Sequence, residues 1–381
     1  MNAQTQAASL LEPVPQLDLA AQYAVIGGEI RAAIDRVLAS QQFILGREGA
    51  ALESELARLC GAAHGIGVAS GTDALILALR ACAVGPGDEV ILPPFTFVAT
   101  GSAVSALGAK PVFADILPGT FNLNPAELAR VVTPRTRAII VVHLYGLAAD
   151  MDPILAFAKG RKLPVIEDAA QAIGATYKGR AVGSLGDVAC FSFYPTKNLG
   201  AYGDAGMIAT NSEPMAARLR TLRNHGQTGK YVSNEPGLNS RLDEMQAAIL
   251  RAKFAHLTEW QRARQERAAQ YTRLLAGLPG VATPAIPSDC EHVFHQYTVR
   301  VSRRDALQQF LAERKIGSTV YYPVPLHLQP IYAGLGHKAG DFPVSERAAH
   351  EALSLPMYPE LRNEQIASVV SGIQAGLAAS A

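Results

Sequence analysis

The sequence predicts an α/β fold: a three-layer large domain built on a mostly parallel sheet, with a smaller α+β domain at the C-terminal end. Three observations carry this. Short apolar runs recur between residues 65 and 210, and most are separated by segments of helical periodicity. Several runs, such as AIIVV at 138–142, are apolar without alternation, which suits strands covered on both faces. After about Asn224 the rhythm stops.

Residues 23–40 form an amphipathic helix, with Ile30, Ile34, Val37 and Leu38 on one face. A second helix near 50–60 uses Leu52, Leu56 and Leu59. Strand candidates follow at 65–69, 89–92, 111–114, 137–142, 164–167, 188–193 and 207–210. Helix-like connections lie at 73–83, 125–131, 153–161 and 214–223. Strand–helix–strand units imply right-handed crossovers, and such sheets bind ligands beyond the carboxyl ends of their strands.

Residues 225–240, HGQTGKYVSNEPGLNS, read as a long loop rich in Gly, Asn and Ser. One long helix is expected over 243–275, then a strand at 294–301, a helix at 304–314 and a Pro-rich run. The expected domains are 1–255 and 256–381, divided inside the long helix.

Of 381 residues, 49% are apolar and 18% charged, a balance that excludes a disordered or collagen-like chain. Lys plus Arg number 34 against 33 Asp plus Glu, so no global charge attracts nucleic acid or an anionic membrane. The longest apolar stretch is interrupted by His143, too short to span a bilayer. The start, MNAQTQAASLLEPVPQ, lacks the basic region and apolar stretch of an export signal. Cys60, Cys82, Cys190 and Cys290 are scattered and match no metal spacing, so the expected location is the reducing cytoplasm and no metal is expected.

No GxxxxGK[ST] or HExxH occurs, and GIGVAS at 65–70 lacks the third glycine of a dinucleotide fingerprint. Three positive signals stand out. Ser70-Gly71-Thr72 lies between a strand and a helix, where backbone N–H groups favour a phosphate; alone it also reads as a helix cap. Asp168, in VIEDAAQ, sits where a strand should end, and a carboxylate there can keep a ring nitrogen protonated; alone it also reads as a cap. Lys197 lies among aromatic residues and glycines in CFSFYPTKNLGAYGDAG, where a desolvated amine can form a Schiff base with an aldehyde. Together these are the three handles of pyridoxal 5'-phosphate (PLP).

Beyond those handles, the chain resembles the DegT-type PLP-dependent nucleotide-sugar aminotransferases of fold-type I. The resemblance runs from about Leu17 to Leu377, through SGTDAL (70–75), PPFTFVAT (93–100), HLYG (143–146), EDAAQ (167–171), FYPTKNLGAYGDAG (193–206), RNHG (223–226), LNSRLDEMQAAIL (238–250) and YYPVPLH (321–327). It implies that Lys197 holds PLP and that Asp168 pairs with its ring nitrogen. Phe97 would stack on the ring, Gln171 would lie beside it, and Gly71, Thr72 and Ser192 would bind the phosphate. Asn239 would reach the phosphate of a second subunit, making a homodimer with shared sites. Tyr194, Arg241, Tyr322 and His327 are the implied sugar-binding residues.

The implied reaction is a two-half transamination, with L-glutamate as donor and a nucleotide-linked keto-sugar as acceptor. The expected acceptor is a dTDP-linked 3-keto-6-deoxyhexose, giving a 3-amino sugar; a 4-keto, UDP-linked or keto-cyclitol substrate is the alternative. Sugar 3-dehydratases of this fold carry histidine in place of the lysine, so Lys197 argues against dehydration. A non-catalytic regulator on the same fold is the reading from another class, opposed by the intact Lys197 and Asp168.

Overall fold

The computed structural model describes residues 12–379. The export-signal reading rests on residues 1–16, of which 1–11 lie outside the described residues. Among the described residues no helix is long and apolar enough to cross a membrane.

Helix α1 (Leu19–Ser40) begins earlier than its apolar periodicity suggests, because Asp18 caps it by accepting from Ala21 N–H at 2.9 Å. Helix α2 (Arg47–Leu59) also begins early. Its cap is remote in sequence: the Glu244 carboxylate accepts from the N–H groups of Gly46, Glu48 and Gly49 at 2.8–2.9 Å.

Seven strands form the main sheet: β1 (His64–Val68), β2 (Glu89–Leu92), β3 (Lys110–Phe113), β4 (Thr136–Val142), β5 (Val165–Asp168), β6 (Val188–Ser192) and β7 (Gly206–Thr210). Their order is β1-β7-β6-β5-β4-β2-β3. Helices α3 (Gly71–Ala81), α4 (Val98–Ala106), α5 (Leu128–Val131) and α6 (Met151–Lys159) make the crossovers between β1 and β5. Residues 193–205 contain no helix, so the chain turns straight back and β7 runs antiparallel to both β6 and β1. That loop, which carries Lys197, therefore hangs over the carboxyl end of β6.

The continuous apolar run of β4 is explained by burial on both faces. Ile139 and Val141 pack with Leu52, Leu56, Met151 and Ile154. Ala138 and Ile140 pack on the other side with Leu75, Leu79 and Leu219, the last from α7 (Glu213–Leu222). Helix α4 has no apolar stripe because VATGSAVSA is small all round. The small residues permit close approach: a Cβ on Gly101 would sit 2.5 Å from the Tyr332 hydroxyl.

Two C-terminal expectations need correction. The long helix over 243–275 is two helices, α8 (Glu244–Phe254) and α9 (Leu257–Leu275). At the break His256 N–H bonds Lys253 C=O at 3.0 Å, a tighter i−3 turn. The expected strand at 294–301 begins only at Tyr297, because Phe294 takes φ +44° and turns residues 292–296 out of the sheet. Within the long loop at 225–240, Gln227–Gly229 pairs with Val232–Ser233 as a short hairpin.

The C-terminal part has its own apolar cluster. Ala268, Tyr271 and Leu275 of α9 pack there against β9 (Tyr297–Val301), β10 (Ala352–Leu355), α10 (Arg304–Glu313) and the last helix, α12 (Asn363–Ala379). A short β8 (Val281–Ala282) completes the sheet β8-β9-β10, and α11 (Pro343–Glu351) precedes β10. Leu257, at the other end of α9, packs into the first core instead.

Candidate active site

A cavity of about 440 Å³ opens over the carboxyl ends of the sheet strands. Strand register builds its first wall. Gly206, the first residue of β7, pairs with Ser192 on one side and Val68 on the other. This sets Ser192, at the end of β6, beside the start of α3. The approach is close: a Cβ on Gly71 would lie 2.6 Å from Ser192 Cβ, and one on Gly206 would lie 2.5 Å from Ser70 backbone. Ser70 caps α3 by accepting from Asp73 N–H at 3.1 Å. The N–H groups of Gly71 and Thr72 precede any intrahelical acceptor. Gly71, Thr72 and Ser192 thus form a cradle for an anion at a helix start.

Asp168 closes β5 and is buried at the cavity floor. Its Oδ2 accepts from Thr100 Oγ1 at 2.8 Å and its Oδ1 from Ala170 N–H at 3.3 Å. Burial raises its pKa; the Thr100 and Ala170 bonds and the positive charge of Lys197 oppose that rise. Next to it, His143 follows β4 and is wholly buried. Its Nδ1 accepts from Ala149 N–H at 3.1 Å, so Nε2 carries the proton and donates to Glu167 at 3.0 Å.

Lys197, from the loop after β6, lines the same cavity. Its loop is pinned at several points. Lys197 N–H donates to Tyr194 C=O at 2.8 Å, Asn198 Nδ2 donates to Val293 C=O at 2.9 Å, and Lys253 Nζ donates to Gly200 C=O at 2.8 Å. Burial pushes the Lys197 amine down to about 8, against the pull of Asp168. A lysine so placed is partly unprotonated near neutral pH, as a nucleophile must be.

Four further residues finish the cavity. Gln171 Oε1 accepts from Tyr145 N–H at 2.7 Å and its Nε2 donates to the Tyr322 hydroxyl at 3.1 Å. The Tyr322 proton is then free to point elsewhere. Phe97, 53% exposed on the cavity wall, tilts against Tyr322 with ring centroids 5.9 Å apart. It offers an open face to a flat ring. Tyr194 lines the mouth.

The structure thus brings Lys197, Asp168, Gly71, Thr72, Phe97, Gln171, Ser192, Tyr194 and Tyr322 to one cavity. Three expected residues do not line it. Asn239 is exposed on a segment bridged to Asn224, and Arg241 Nη1 donates to Asn224 Oδ1 at 3.0 Å. The third is His327. It is buried beneath the cavity, its Nε2 bonded to Glu346 at 3.0 Å, in a turn whose Leu326 N–H bonds Pro94 C=O. Thr96, Asp204, His295, Gln296 and Tyr321 line the cavity without having been singled out. Thr96 lies inside PPFTFVAT, but no local pattern marks His295.

The fit to PLP rests on the glycine cradle, which a Cβ would fill, on a carboxylate buried without a side-chain cation bonded to it, and on a desolvated lysine in the same cavity. Comparison with known proteins agrees. Residues 24–374 match the DegT/DnrJ/EryC1/StrS aminotransferase family. A "pleiotropic regulatory protein" of Geobacillus stearothermophilus is 55% identical, over 94% of this chain and 97% of its own. The UDP-N-acetyl-3-dehydro-alpha-D-glucosamine 3-aminotransferase of Acidithiobacillus ferrooxidans is 50% identical, over 95% and 97%. The dTDP-3-amino-3,4,6-trideoxy-alpha-D-glucose transaminase of Streptomyces venezuelae is 47% identical, over 95% of each. The crystal structure of S. venezuelae DesV superposes with a TM-score of 0.93 at 47% identity, covering 95% of this chain and 98% of that one. The chain belongs to the DegT/DnrJ/EryC1/StrS family and is a PLP-dependent sugar aminotransferase of fold-type I.

Proposed function

We propose that this enzyme moves an amino group from L-glutamate to C3 of a nucleotide-linked 3-keto-sugar, with a dTDP-linked 3-keto-6-deoxyhexose as the preferred acceptor. The observation that carries the chemistry is the pairing of a desolvated Lys197 with a buried Asp168 in one cavity. The names of relatives acting on UDP- and dTDP-linked sugars at C3 support the acceptor class.

Bound PLP supplies an aldehyde for the amine and an electron-withdrawing ring. Gly71, Thr72 and Ser192 would hold its phosphate, Phe97 would cover the ring, and Asp168 would keep the ring nitrogen protonated. Lys197 Nζ would take the proton from the donor α-carbon as base and then give it up as acid. Tyr194 and Tyr322 present hydroxyls to the sugar.

The same reading includes a homodimer in which Asn239 and Arg241 serve the site of a second copy. Its support is a continuous exposed surface. Phe43, Ile44 and Leu45 are exposed, and their loop is tied to the segment after Arg241 by Glu244 N–H donating to Phe43 C=O at 3.0 Å. The boundary between two domains near residue 255 also belongs to this reading, supported by the separate C-terminal apolar cluster.

Incubation with PLP, L-glutamate and a panel of dTDP- and UDP-linked 3- and 4-keto-sugars tests the proposal by mass spectrometry of the product. Amination of the dTDP-linked 3-keto-sugar above all others is expected. Preference for a UDP-linked or 4-keto-sugar would overturn the acceptor. Failure to consume any amino donor would favour the regulatory reading suggested by the name of the Geobacillus relative.

A further inference from the structure

Behind Asp168 lies a buried chain of two hydroxyls, both from the PPFTFVAT segment at 93–100. Thr100 Oγ1 is 2.8 Å from Asp168 Oδ2, and Thr96 Oγ1 is 2.9 Å from Thr100 Oγ1. All three side chains are buried, Thr100 completely. The direction of the chain follows from proton counting. A carboxylate only accepts, so Thr100 spends its single proton on Asp168, and Thr96 must therefore donate to Thr100. Thr96 borders the cavity, whereas Thr100 does not. Both threonines belong to the first turn of α4 or its approach, so the carboxylate also meets the positive end of that helix.

We propose that Thr100, oriented by Thr96, is a positioning residue that keeps Asp168 an anion and so holds the proton on the cofactor's ring nitrogen rather than on the carboxylate. The inference rests on the reading that Asp168 pairs with that nitrogen. A buried pair of this kind has two states: carboxylate with protonated ring, or carboxylic acid with neutral ring. Thr100 favours the first, because its hydrogen bond to a charged acceptor is stronger than to a neutral one. If the proton moved to Asp168, the carboxyl would donate it back toward the ring nitrogen, and Thr100 would be left donating to a neutral oxygen.

The Ala170 N–H, donating to Oδ1 at 3.3 Å, works in the same direction through a longer bond, and among the described residues no side chain other than Thr100 bonds the Asp168 carboxylate. Lys197, from the loop, carries charge only in part of the catalytic cycle. His143, at the end of β4, accepts from Ala149 N–H at Nδ1 and donates from Nε2 to Glu167, so it makes no bond to the Asp168 carboxylate. Cys190 on β6 and the Tyr322 hydroxyl are both kept protonated by burial, and neither bonds the carboxylate. Burial drives Asp168 toward its neutral form, and the Thr100 bond is the first influence against it.

The test uses the holoenzyme loaded with PLP carrying ¹⁵N in the ring, read by NMR across a pH titration. In the parent enzyme the ring nitrogen stays protonated into the alkaline range. Thr100→Val, which keeps the shape and removes the hydroxyl, should release that proton about tenfold more readily, a shift of about one pH unit. Thr100→Ser should restore the parent titration, a rescue that mere packing would not produce. Identical titration of Thr100→Val and the parent would overturn the proposal. Should Thr100→Val fail to fold, Thr96→Val carries the same test, with a smaller shift of the same sign expected and no shift contradicting it. Asp168→Asn separates the two levels. An unchanged ring nitrogen there would sink the Asp168 pairing itself; a change there with none in Thr100→Val would sink only the hydroxyl chain.

Discussion

Two regions of the molecule carry the expected site residues, and they are built differently. The wall formed by β5, β6 and the 193–205 loop is closed on itself: Asp168 is hydrogen-bonded, Lys197 is desolvated, and the loop is pinned by Val293 and Lys253. The segment from Asn224 to Arg241 is open. Asn239 is exposed, the Arg241 Nε is buried without a partner, and Tyr231 at the hairpin tip is 86% exposed. A buried polar group without a partner costs free energy, so the second region has the character of a surface completed on assembly. In the proposed homodimer the first region holds the chemistry of its own chain, and the second serves the site of the other copy.

The largest effect that sharpens this contrast is at Lys197. Lys197→Ala should lower transamination by at least about a thousandfold, since nothing else in the cavity supplies an amine. Stopped-flow assay of the glutamate half-reaction measures it. Gly71→Ala comes next. Its Cβ would lie 2.6 Å from that of Ser192, and relieving the overlap at roughly 1–3 kcal/mol should weaken cofactor binding about ten- to a hundredfold. Equilibrium dialysis against PLP gives the number.

A pH profile probes the electrostatics of the closed wall. Burial lowers Lys197 to about 8 while the negative charge of Asp168 raises it. The reactive amine is the unprotonated form, so the rate at which apo-enzyme captures PLP should rise with pH through that region. Asp168→Asn removes the charge that holds the proton, and the rising limb should move to lower pH. A limb moving upward would contradict the assigned sign. The smallest effect belongs to His327. His327→Gln should leave the sugar KM within about twofold and cost roughly 1 kcal/mol of stability through the lost Glu346 bond, seen as a fall in Tm.

The same contrast governs what was legible from residues alone. The parallel strands were placed to within a residue or two, because strands buried on both faces are continuous apolar runs. The glycine cradle, Asp168 and Lys197 were legible because each sits at a strand end, where this fold puts ligands. Helix α4 was invisible because small residues leave no apolar stripe. The early start of α2 was hidden because its cap, Glu244, lies nearly two hundred positions away. Thr100 stands in PPFTFVAT, but its role, like that of His295, depends on neighbours brought by folding, which the motif alone does not encode. His327 stands in a motif that lies near the cavity in sequence logic but folds beneath it, against Pro94.

Mixing two inactive variants tests the division between the regions most directly. Lys197→Ala breaks the closed wall and Arg241→Ala, or Asn239→Ala, breaks the open segment. After co-refolding or subunit exchange, a mixed dimer should contain one site with an intact lysine facing an intact Asn239–Arg241 segment. Recovery of transamination in the mixture, absent from either variant alone, is the predicted result. If the mixture stays as inactive as its parts while mixed dimers are demonstrably formed, each chain builds its site alone and the contrast drawn between the two regions is wrong.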